Sequence, residues 1–365
     1  MAEFILYLFI LSFLIQSFNF LFIFSRLAFY KEKTENKVIK GVSIVVAAHN
    51  ERTNLERLIP LLLAQTHPDF EIIIANDRSS DGSSELISSF KDTRLKEVKI
   101  VSTPLEYNSK KYALTRAIEQ ANREIILLTD ADCYPVSDNW VREMQSGFTQ
   151  KKEIVLGYSP YEKKKGFLNL FIRYETFYTA IQYLSFALMG QAYMGVGRNL
   201  SYYKKMFERK DGFNKYRPVT GGDDDLLIGQ MASNENTGIK ITRESQVLSI
   251  PKTSYSAFFR QKLRHLGVGK HYKAYNRFKT GILPISQFTL YFSVIPLVFF
   301  NIYISWVLSI FILRTLLIIV IFALISRKLG ETIKWLWFPL LDVCYLINYL
   351  VTGISALFSK NIKWT

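Results

Sequence analysis

The strongest constraint on the fold is a run of 21 uncharged residues near the start of the chain, from Phe4 to Phe24. At about 1.5 Å per residue, a helix of that length crosses a hydrocarbon layer about 30 Å thick. A cleaved signal peptide fits less well, because Glu3 stands where a positive region is expected and no small-x-small site follows. The sequence therefore predicts a transmembrane helix over residues 1–25.

Two further apolar stretches lie towards the other end of the chain. Residues 288–325 contain one charged residue, Arg314, and residues 335–358 contain Asp342. The first stretch is long enough for two helices, and an arginine within it either reaches an interface or is buried with a partner. We expect two or three transmembrane helices between residues 281 and 359.

Basic residues, among them Lys33 and Lys37, fill the linker 26–41 after the first apolar run. Positive flanks are preferentially retained in the cytoplasm, so we expect a multi-pass protein of the cell (inner) membrane with a cytoplasmic central domain. Lys360 and Lys363 favour a cytoplasmic C-terminus and thus two crossings after that domain. Anionic lipids or phosphorylated substrates explain the net charge of +15, and no nucleic acid partner is expected because no binding motif accompanies the charge.

Between residues 42 and 280, short apolar runs alternate with helix-like stretches. This alternation is typical of βαβ units and predicts a doubly wound α/β domain. The dinucleotide fingerprint is incomplete and a P-loop is missing, which disfavours dehydrogenases and kinases. Predicted strands occupy residues 42–48, 70–75, 98–101 and 125–129. Predicted helices occupy residues 54–65, 83–90 and 110–121.

Polar residues follow three of these strands, at the strand ends where ligands bind in parallel sheets. They are His49-Asn50-Glu51, segment 76–82 and Asp130-Ala131-Asp132. The last motif presents two hard oxygen ligands, which suit Mg²⁺ or Mn²⁺ when substrate phosphates supply the other ligands. A solvated turn explains an isolated Asp-x-Asp better, but acidic residues at neighbouring strand ends favour a metal site.

Another acidic motif, Asp223-Asp224-Asp225, follows Gly221-Gly222 and precedes an apolar, helix-like run. One of these carboxylates is explained as a helix cap that complements the helix dipole. Three adjacent carboxylates repel one another, which indicates a metal, a basic partner or a functional base. Transfer of a group to a hydroxyl requires such a base.

Two segments, 166–194 and 255–280, predict helices at the membrane interface. The first is too polar to span a bilayer, so it lies on the bilayer or beneath the membrane helices; an ordinary core helix is the alternative. In the second, Gln261 and Arg264 share a helix face and are able to hold a diphosphate or a sugar. A basic helix that touches lipid headgroups is the other interpretation of this segment.

Taken in order, these motifs resemble those of membrane-bound glycosyltransferase family 2, inverting enzymes of GT-A fold that include cellulose, hyaluronan, poly-N-acetylglucosamine and ceramide-glucose synthases. The resemblance runs from about Val42 to Gly269. It rests on Ala48-His49-Asn50-Glu51, Asp77 with Ser79-Ser80-Asp81-Gly82, Ser109-Lys110, Asp130-Ala131-Asp132, Gly197-Arg198-Asn199-Leu200-Ser201, Gly222-Asp223-Asp224 and Gln261-x-x-Arg264.

The resemblance implies a role for each matching residue. Asp130 and Asp132 would hold Mg²⁺ or Mn²⁺. Asp224 would be the catalytic base, with Asp223 as the alternative. Residues near the donor would be Asn50, Glu51, Asp77, Lys110, Asp130, Gln261 and Arg264. Residues of the acceptor region would be Arg198, Asn199 and His265.

His265 stands where the processive members of that family have tryptophan. An imidazole offers a sugar less stacking surface than an indole, so a single transfer is expected rather than processive elongation. The implied function is transfer from a nucleotide-sugar, a UDP-sugar in preference to a GDP-sugar, to a membrane lipid, lipid-linked or polysaccharide acceptor. A nucleotidyltransferase of related fold and a non-catalytic membrane scaffold are the alternatives.

Overall fold

A computed structural model of the protein describes residues 2–32 and 38–358. Lys33, Lys37, Lys360 and Lys363, which contribute to the predicted orientation in the membrane, lie outside the described residues.

The four strands and three helices predicted between residues 42 and 129 form where the apolar runs place them, with ends displaced by at most three residues. The strands are β1 (Val42–Ala48), β2 (Phe70–Asp77), β3 (Leu95–Ile100), β4 (Ile125–Asp130), β5 (Cys133–Pro135), β6 (Ile154–Gly157), β7 (Leu200–Tyr203), β8 (Thr237–Lys240) and β9 (Val247–Ser249). The helices are α1 (Ala2–Phe18), α2 (Ser25–Ala28), α3 (Arg52–Leu63), α4 (Ser83–Ser89), α5 (Ser109–Glu119), α6 (Trp140–Ser146), α7 (Phe167–Leu188), α8 (Lys204–Arg209), α9 (Asp225–Met231), α10 (Tyr255–Gly269), α11 (Ala274–Phe299), α12 (Ile304–Leu329) and α13 (Phe338–Phe358).

Seven strands form one mixed sheet in the order β3-β2-β1-β4-β7-β6-β8. Strands β3, β2, β1 and β4 are parallel, and their register pairs Ala48 with Asn76 and Ala47 with Asp130. Every residue of β1 and β2 is buried, as expected for strands covered on both faces. This arrangement confirms the predicted α/β class and brings the polar residues after β1, β2 and β4 to one edge.

Strand β7 runs antiparallel to both β4 and β6. The sequence did not predict this reversal, because a short run of buried residues has the same pattern in either strand direction. The mixed half of the sheet extends the core away from the parallel edge, and its connections carry Arg198 and the acidic motif at residues 223–225.

Helix α7 is packed beneath the membrane-type helices and is buried along most of its length. Its Phe177 stacks on Phe338 with ring centroids 6.1 Å apart, and its buried Arg173 pairs with Glu331 at 2.5 Å. This burial is also what the core-helix alternative requires, so a position at the membrane interface stays a prediction. The segment 255–280, by contrast, is divided between α10 and the start of α11 by a turn at residues 270–273.

Four helices in the described part of the chain are long and apolar enough to cross a membrane. They are Ala2–Ala28, in which a π-helical turn at Asn19–Phe24 joins α1 to α2, and Ala274–Phe299, Ile304–Leu329 and Trp335–Ala356. Three of them therefore follow the central domain. The number that cross, and the side on which the domain lies, stay predictions.

Arg314 and Asp342 form a buried ion pair that joins the apolar helices. The guanidinium lies 2.6 Å from the carboxylate, and its Nε donates to Gln16 Oε1 at 2.8 Å. Asp342 also accepts hydrogen bonds from Gln287 and Tyr291. The two charges that interrupt the apolar stretches thus satisfy each other, and the network connects α1, α11, α12 and α13.

We expect Arg314→Leu or Asp342→Leu to destabilise the protein by about 3–5 kcal/mol, because each leaves one uncompensated buried charge. The double variant should lose less than the sum of the two single losses. Thermal unfolding in detergent measures the effect. The matched control is Lys151→Ala and Glu235→Ala, an ion pair whose side chains are 78% and 76% exposed. Single Leu variants as stable as these controls would contradict the assignment.

Candidate active site

A cavity of about 710 Å³ lies at the carboxyl edge of the parallel strands and extends beneath α11 and α13. It is lined by most of the residues that the motifs single out, drawn from segments distant in sequence. These residues are Glu51, Lys110, Asp130, Asp132, Arg198, Asp223, Asp224, Gln261, Arg264 and His265.

Three predicted site residues, Asn50, Asp77 and Asn199, do not line the cavity. The Asp77 side chain is fully buried and accepts two hydrogen bonds from Arg78, at 2.8 and 3.1 Å. Asn50 has a φ of 55° and accepts a hydrogen bond from the backbone of Ser80, so it braces the loop after β2. Both residues lie on the predicted edge, but their side chains serve the loops there.

Asn199 is buried within the core. Its Oδ1 accepts from Trp140 Nε1 at 3.0 Å, and its Nδ2 donates to the carbonyls of Tyr158 and Ser245. Through these three hydrogen bonds the Asn199 side chain joins separate segments of the core. Of the predicted acceptor residues, only Arg198 and His265 reach the cavity.

Asp130 and Asp132 meet the chemical requirements of a magnesium or manganese site. Their carboxylates and the Cys133 sulfur offer ligand atoms within 4.8 Å of one another. Burial raises the pKa of the Cys133 thiol well above its usual range, and its Sγ contacts Ser249 Oγ at 3.0 Å. The available donors are therefore two hard carboxylates rather than a thiolate, which fits Mg²⁺ or Mn²⁺ and not a thiophilic metal.

Lys110 bridges the two acidic motifs. Its Nζ lies 2.9 Å from Asp130 Oδ1 and 2.9 Å from Asp223 Oδ2. Although burial disfavours its charge, the two carboxylates raise the pKa of Lys110 above its usual value, so it is an ammonium. The same charge holds the pKa of Asp223 below its usual value against burial.

Glu51 adds another carboxyl group on the β1 side of the cavity. Asn54 Nδ2 donates to its Oε2 at 2.5 Å. Burial raises the pKa of Glu51, and the nearby charges of Asp132 and Asp130 act in the same direction. The cavity is therefore strongly acidic on this side, with Lys110 between the motifs.

The loop before Asp223 is shaped by two glycines and a buried lysine. Gly221 and Gly222 have φ values of 81° and 73°, which residues with a Cβ rarely adopt. Lys111 donates from Nζ to the carbonyls of Tyr216 and Val219, each at 2.8 Å. Burial lowers the pKa of Lys111 to about 8. These contacts turn the acidic motif towards the cavity.

Asp224 is held by backbone donors. Its Oδ2 accepts from Gly197 N–H and its Oδ1 from Asp225 N–H, both at 2.8 Å. Burial and the neighbouring Asp223 raise the pKa of Asp224 above its usual value. The orientation and the increased basicity suit a proton acceptor better than the ion-paired Asp223 does.

Helix α10 forms the basic wall of the cavity. Gln261 donates to Tyr161 Oη at 3.2 Å, and Lys262 pairs with Glu175 of α7 at 2.5 Å. Arg264 and His265 face the cavity. Although the His265 side chain is exposed to the cavity, the protein atoms crowded around it and the nearby charges of Lys262 and Arg264 lower its pKa below the usual range, which favours the neutral imidazole.

One wall of the cavity, formed by residues of α13, was not predicted from the sequence. The residues on this face are Tyr345, Asn348, Tyr349, Thr352, Gly353 and Ala356. Their spacing of three and four residues is a helical stripe of polar and small side chains inside an apolar segment. This stripe of polar and small residues was the feature of the sequence that could have predicted the α13 wall.

Comparisons with known proteins agree with this geometry. Residues 43–210 match the family described as glycosyl transferase family 2. A poly-beta-1,6-N-acetyl-D-glucosamine synthase from Staphylococcus epidermidis is 37% identical over 101 residues, which cover 27% of this chain and 24% of that protein. The protein of the same name from Staphylococcus aureus (strain COL) is 33% identical over 95 residues, 26% of this chain and 22% of that protein. The matches span about a quarter of the length of these relatives.

The fold has a full-length counterpart among solved structures. A mannosyltransferase from Pyrobaculum calidifontis, solved in complex with GDP-Man and Mn²⁺, matches with a TM-score of 0.62. The match covers 97% of this chain and 99% of that chain at 15% sequence identity. At this identity the likeness concerns the fold alone.

We expect Gly222→Ala to destabilise the protein by about 1–3 kcal/mol, because it places a side chain in a left-handed conformation. The new Cβ would also lie 2.8 Å from Leu226 Cγ. Gly229→Ala is the matched control, since a Cβ there meets only the Tyr193 carbonyl at 3.4 Å. Thermal unfolding compares the two variants. Equal stability would show that the positive φ at Gly222 is not required.

Proposed function

Residues 43–210 form a glycosyl transferase family 2 domain of GT-A fold, and from this premise we propose that the chain transfers a sugar from a nucleotide-sugar to a membrane-associated acceptor. One observation carries the proposal. A single cavity is lined by Asp130 and Asp132, by the ammonium of Lys110 and by the basic residues of α10. It is also lined by Asp224, whose carboxylate accepts a hydrogen bond from the backbone of Gly197.

Asp130 and Asp132 would hold Mg²⁺ or Mn²⁺ at the donor side. Bound between these carboxylates, such an ion would supply positive charge that offsets the charge of the donor diphosphate. Lys110, 2.9 Å from Asp130, would contact the same phosphates, and Gln261 and Arg264 would bind them from α10. Glu51, which lines the cavity, would contact the nucleoside, whereas Asn50 and Asp77 would support the loops beside it.

The related proteins support a nucleotide-sugar donor without fixing its base. The Pyrobaculum mannosyltransferase was solved with GDP-Man and Mn²⁺, whereas the staphylococcal relatives are named for N-acetylglucosamine polymers. We favour a UDP-sugar, because the relatives matched by sequence make N-acetylglucosamine polymers, whereas the mannosyltransferase shares only the fold.

Asp224 would act as the base in a single displacement. The acceptor hydroxyl attacks the anomeric carbon, its proton passes to Asp224, and the bond between the sugar and the diphosphate breaks, so the configuration inverts. The backbone donors at Gly197 and Asp225 hold the carboxylate for this step. Asp223 is engaged by Lys110 and is the alternative base.

The acceptor would enter from the membrane side. The cavity continues between α7, α11 and α13, where hydroxyl, amide and aromatic side chains alternate with glycine and alanine. Such a surface suits an amphiphile with a polar head, such as a lipid or a lipid-linked glycan. The neutral His265 offers hydrogen bonds rather than a broad stacking surface, which favours one transfer per acceptor.

We expect Asp224→Asn to lower the rate of transfer by at least about 100-fold while donor affinity is retained, because only the base is lost. Asp132→Ala should lose both transfer and metal-dependent donor binding. The assay is release of nucleoside diphosphate with Mg²⁺ or Mn²⁺ across UDP- and GDP-sugars, with membrane lipid extract as acceptor. Calorimetry measures donor affinity, and Glu235→Gln, 76% exposed, is the control.

The same assay separates the two candidate bases. Normal turnover by Asp224→Asn together with an inactive Asp223→Asn would transfer the role to Asp223. Failure of the wild-type protein to release nucleotide from any donor, with lipid present and the fold intact, would argue for the scaffold alternative.

The pH dependence of transfer follows from the environment of Asp224. The base must be ionised, and its pKa is raised by burial and by Asp223. The rate should therefore fall, as the pH decreases, at a pH above the ordinary carboxyl value of 3.8. A rate profile recorded at saturating donor tests this, and an acid limb at or below that value would count against Asp224 as the base.

A further inference from the structure

The carboxyl group of Asp225, the third in the acidic motif, has no role in the reaction described above. It begins α9 directly after Asp224. Its Oδ2 accepts a hydrogen bond from Tyr272 Oη at 2.7 Å. Its Oδ1 is shielded from solvent and receives no hydrogen bond from any residue that the structure describes. A carboxyl group in this position calls for an explanation, since a charged oxygen without a donor is costly in such a site.

A proton on Asp225 would give the unpartnered oxygen a hydrogen bond to donate. Burial raises the pKa of Asp225 well above its usual range, and the charge of Asp224 adds to this effect. The two side chains lie within hydrogen-bonding reach of each other. If Asp225 carries a proton, Oδ1 is able to donate to the Asp224 carboxylate while Oδ2 accepts from Tyr272.

Tyr272 connects this chain of hydrogen bonds to the membrane side of the molecule. It lies in the turn between α10 and α11, and its ring packs edge-on against Tyr193 with centroids 6.1 Å apart. Helix α10 carries Gln261 and Arg264, and α11 contributes Arg277 to the cavity. The turn thus lies between the two helices that would contact donor and acceptor.

We propose that Asp225 and Tyr272 are positioning residues. Two consecutive hydrogen bonds, from Tyr272 to Asp225 and from Asp225 to Asp224, fix the Asp224 side chain relative to the α10–α11 turn. The inference rests on the proposed function, since it concerns the same transfer. Asp224 already accepts the backbone N–H of Asp225, so a shift of the Asp225 side chain moves the base directly. Misplacement of a catalytic group by about 1 Å costs about 100-fold in rate.

The chemistry of asparagine makes the proposal testable. Asp225→Asn keeps an oxygen that accepts from Tyr272 and supplies an N–H that donates to Asp224, so it reproduces the neutral acid in both bonds. Asp225→Ala removes both bonds, and Tyr272→Phe removes one. If Asp225 served instead as a charged group, asparagine would behave like alanine.

The experiment measures kcat and KM for the donor, donor affinity by calorimetry, and thermal unfolding for these variants of the full chain in detergent. We expect kcat to fall about 10- to 100-fold in Asp225→Ala and Tyr272→Phe with donor KM and affinity unchanged. Asp225→Asn should stay within about threefold of wild type. The double variant Asp225→Ala with Tyr272→Phe should be no slower than Asp225→Ala alone.

Tyr275→Phe is the matched control, because this tyrosine also lies near the turn and donates to Gln191, but does not line the cavity. An Asp225→Asn variant as slow as Asp225→Ala, or a Tyr272→Phe variant as fast as wild type, would overturn the proposal. The proposal would also be overturned if kcat fell in every variant, Asp225→Asn included, in proportion to the decrease in unfolding temperature. That result would indicate a purely structural contact. No turnover by the wild-type protein would instead overturn the proposed function, and this inference with it.

Discussion

Repulsion among carboxylates is the constraint around which the cavity is built. Acidic side chains from the ends of β1 and β4 and from the loop before α9 meet there, and like charges at short range disfavour one another's ionised form. Lys110 offsets this repulsion by bridging Asp130 and Asp223. Backbone donors also hold Asp224, burial and the charge of Asp224 raise the pKa of Asp225, and α10 adds basic residues to the lining of the cavity.

The membrane-type helices are part of this site rather than an attachment to it. Helix α7 packs between the sheet and α12 and α13, and the buried pair of Arg314 and Asp342 connects α13 to its neighbours. Because α13 also supplies a wall of the cavity, the ion pair within the apolar helices connects that wall to α11 and α12. This explains how charged residues persist in segments that are otherwise apolar.

Several features were predictable from local pattern. The buried strands and amphipathic helices of the parallel half were found because their apolar periodicity is strong, and the position of Asp130 and Asp132 followed from the rule that parallel strands present their carboxyl ends at one edge. That the side chains of Asn50 and Asp77 do not line the cavity was not predictable. They are engaged by Ser80 and Arg78 of the same loop, and Asn50 and Arg78 both have a φ of 55°.

The sequence by itself determined the long apolar helices, the α/β class and the acidic motifs, because each depends on residues close together in the chain. The tertiary structure decided which side chains share the cavity. The antiparallel β7, the core role of Asn199, the hold of Lys111 on the loop at 216–219 and the bond from Tyr272 to Asp225 all join distant segments. Such contacts depend on packing and charge compensation in three dimensions, which the pattern along one chain does not encode.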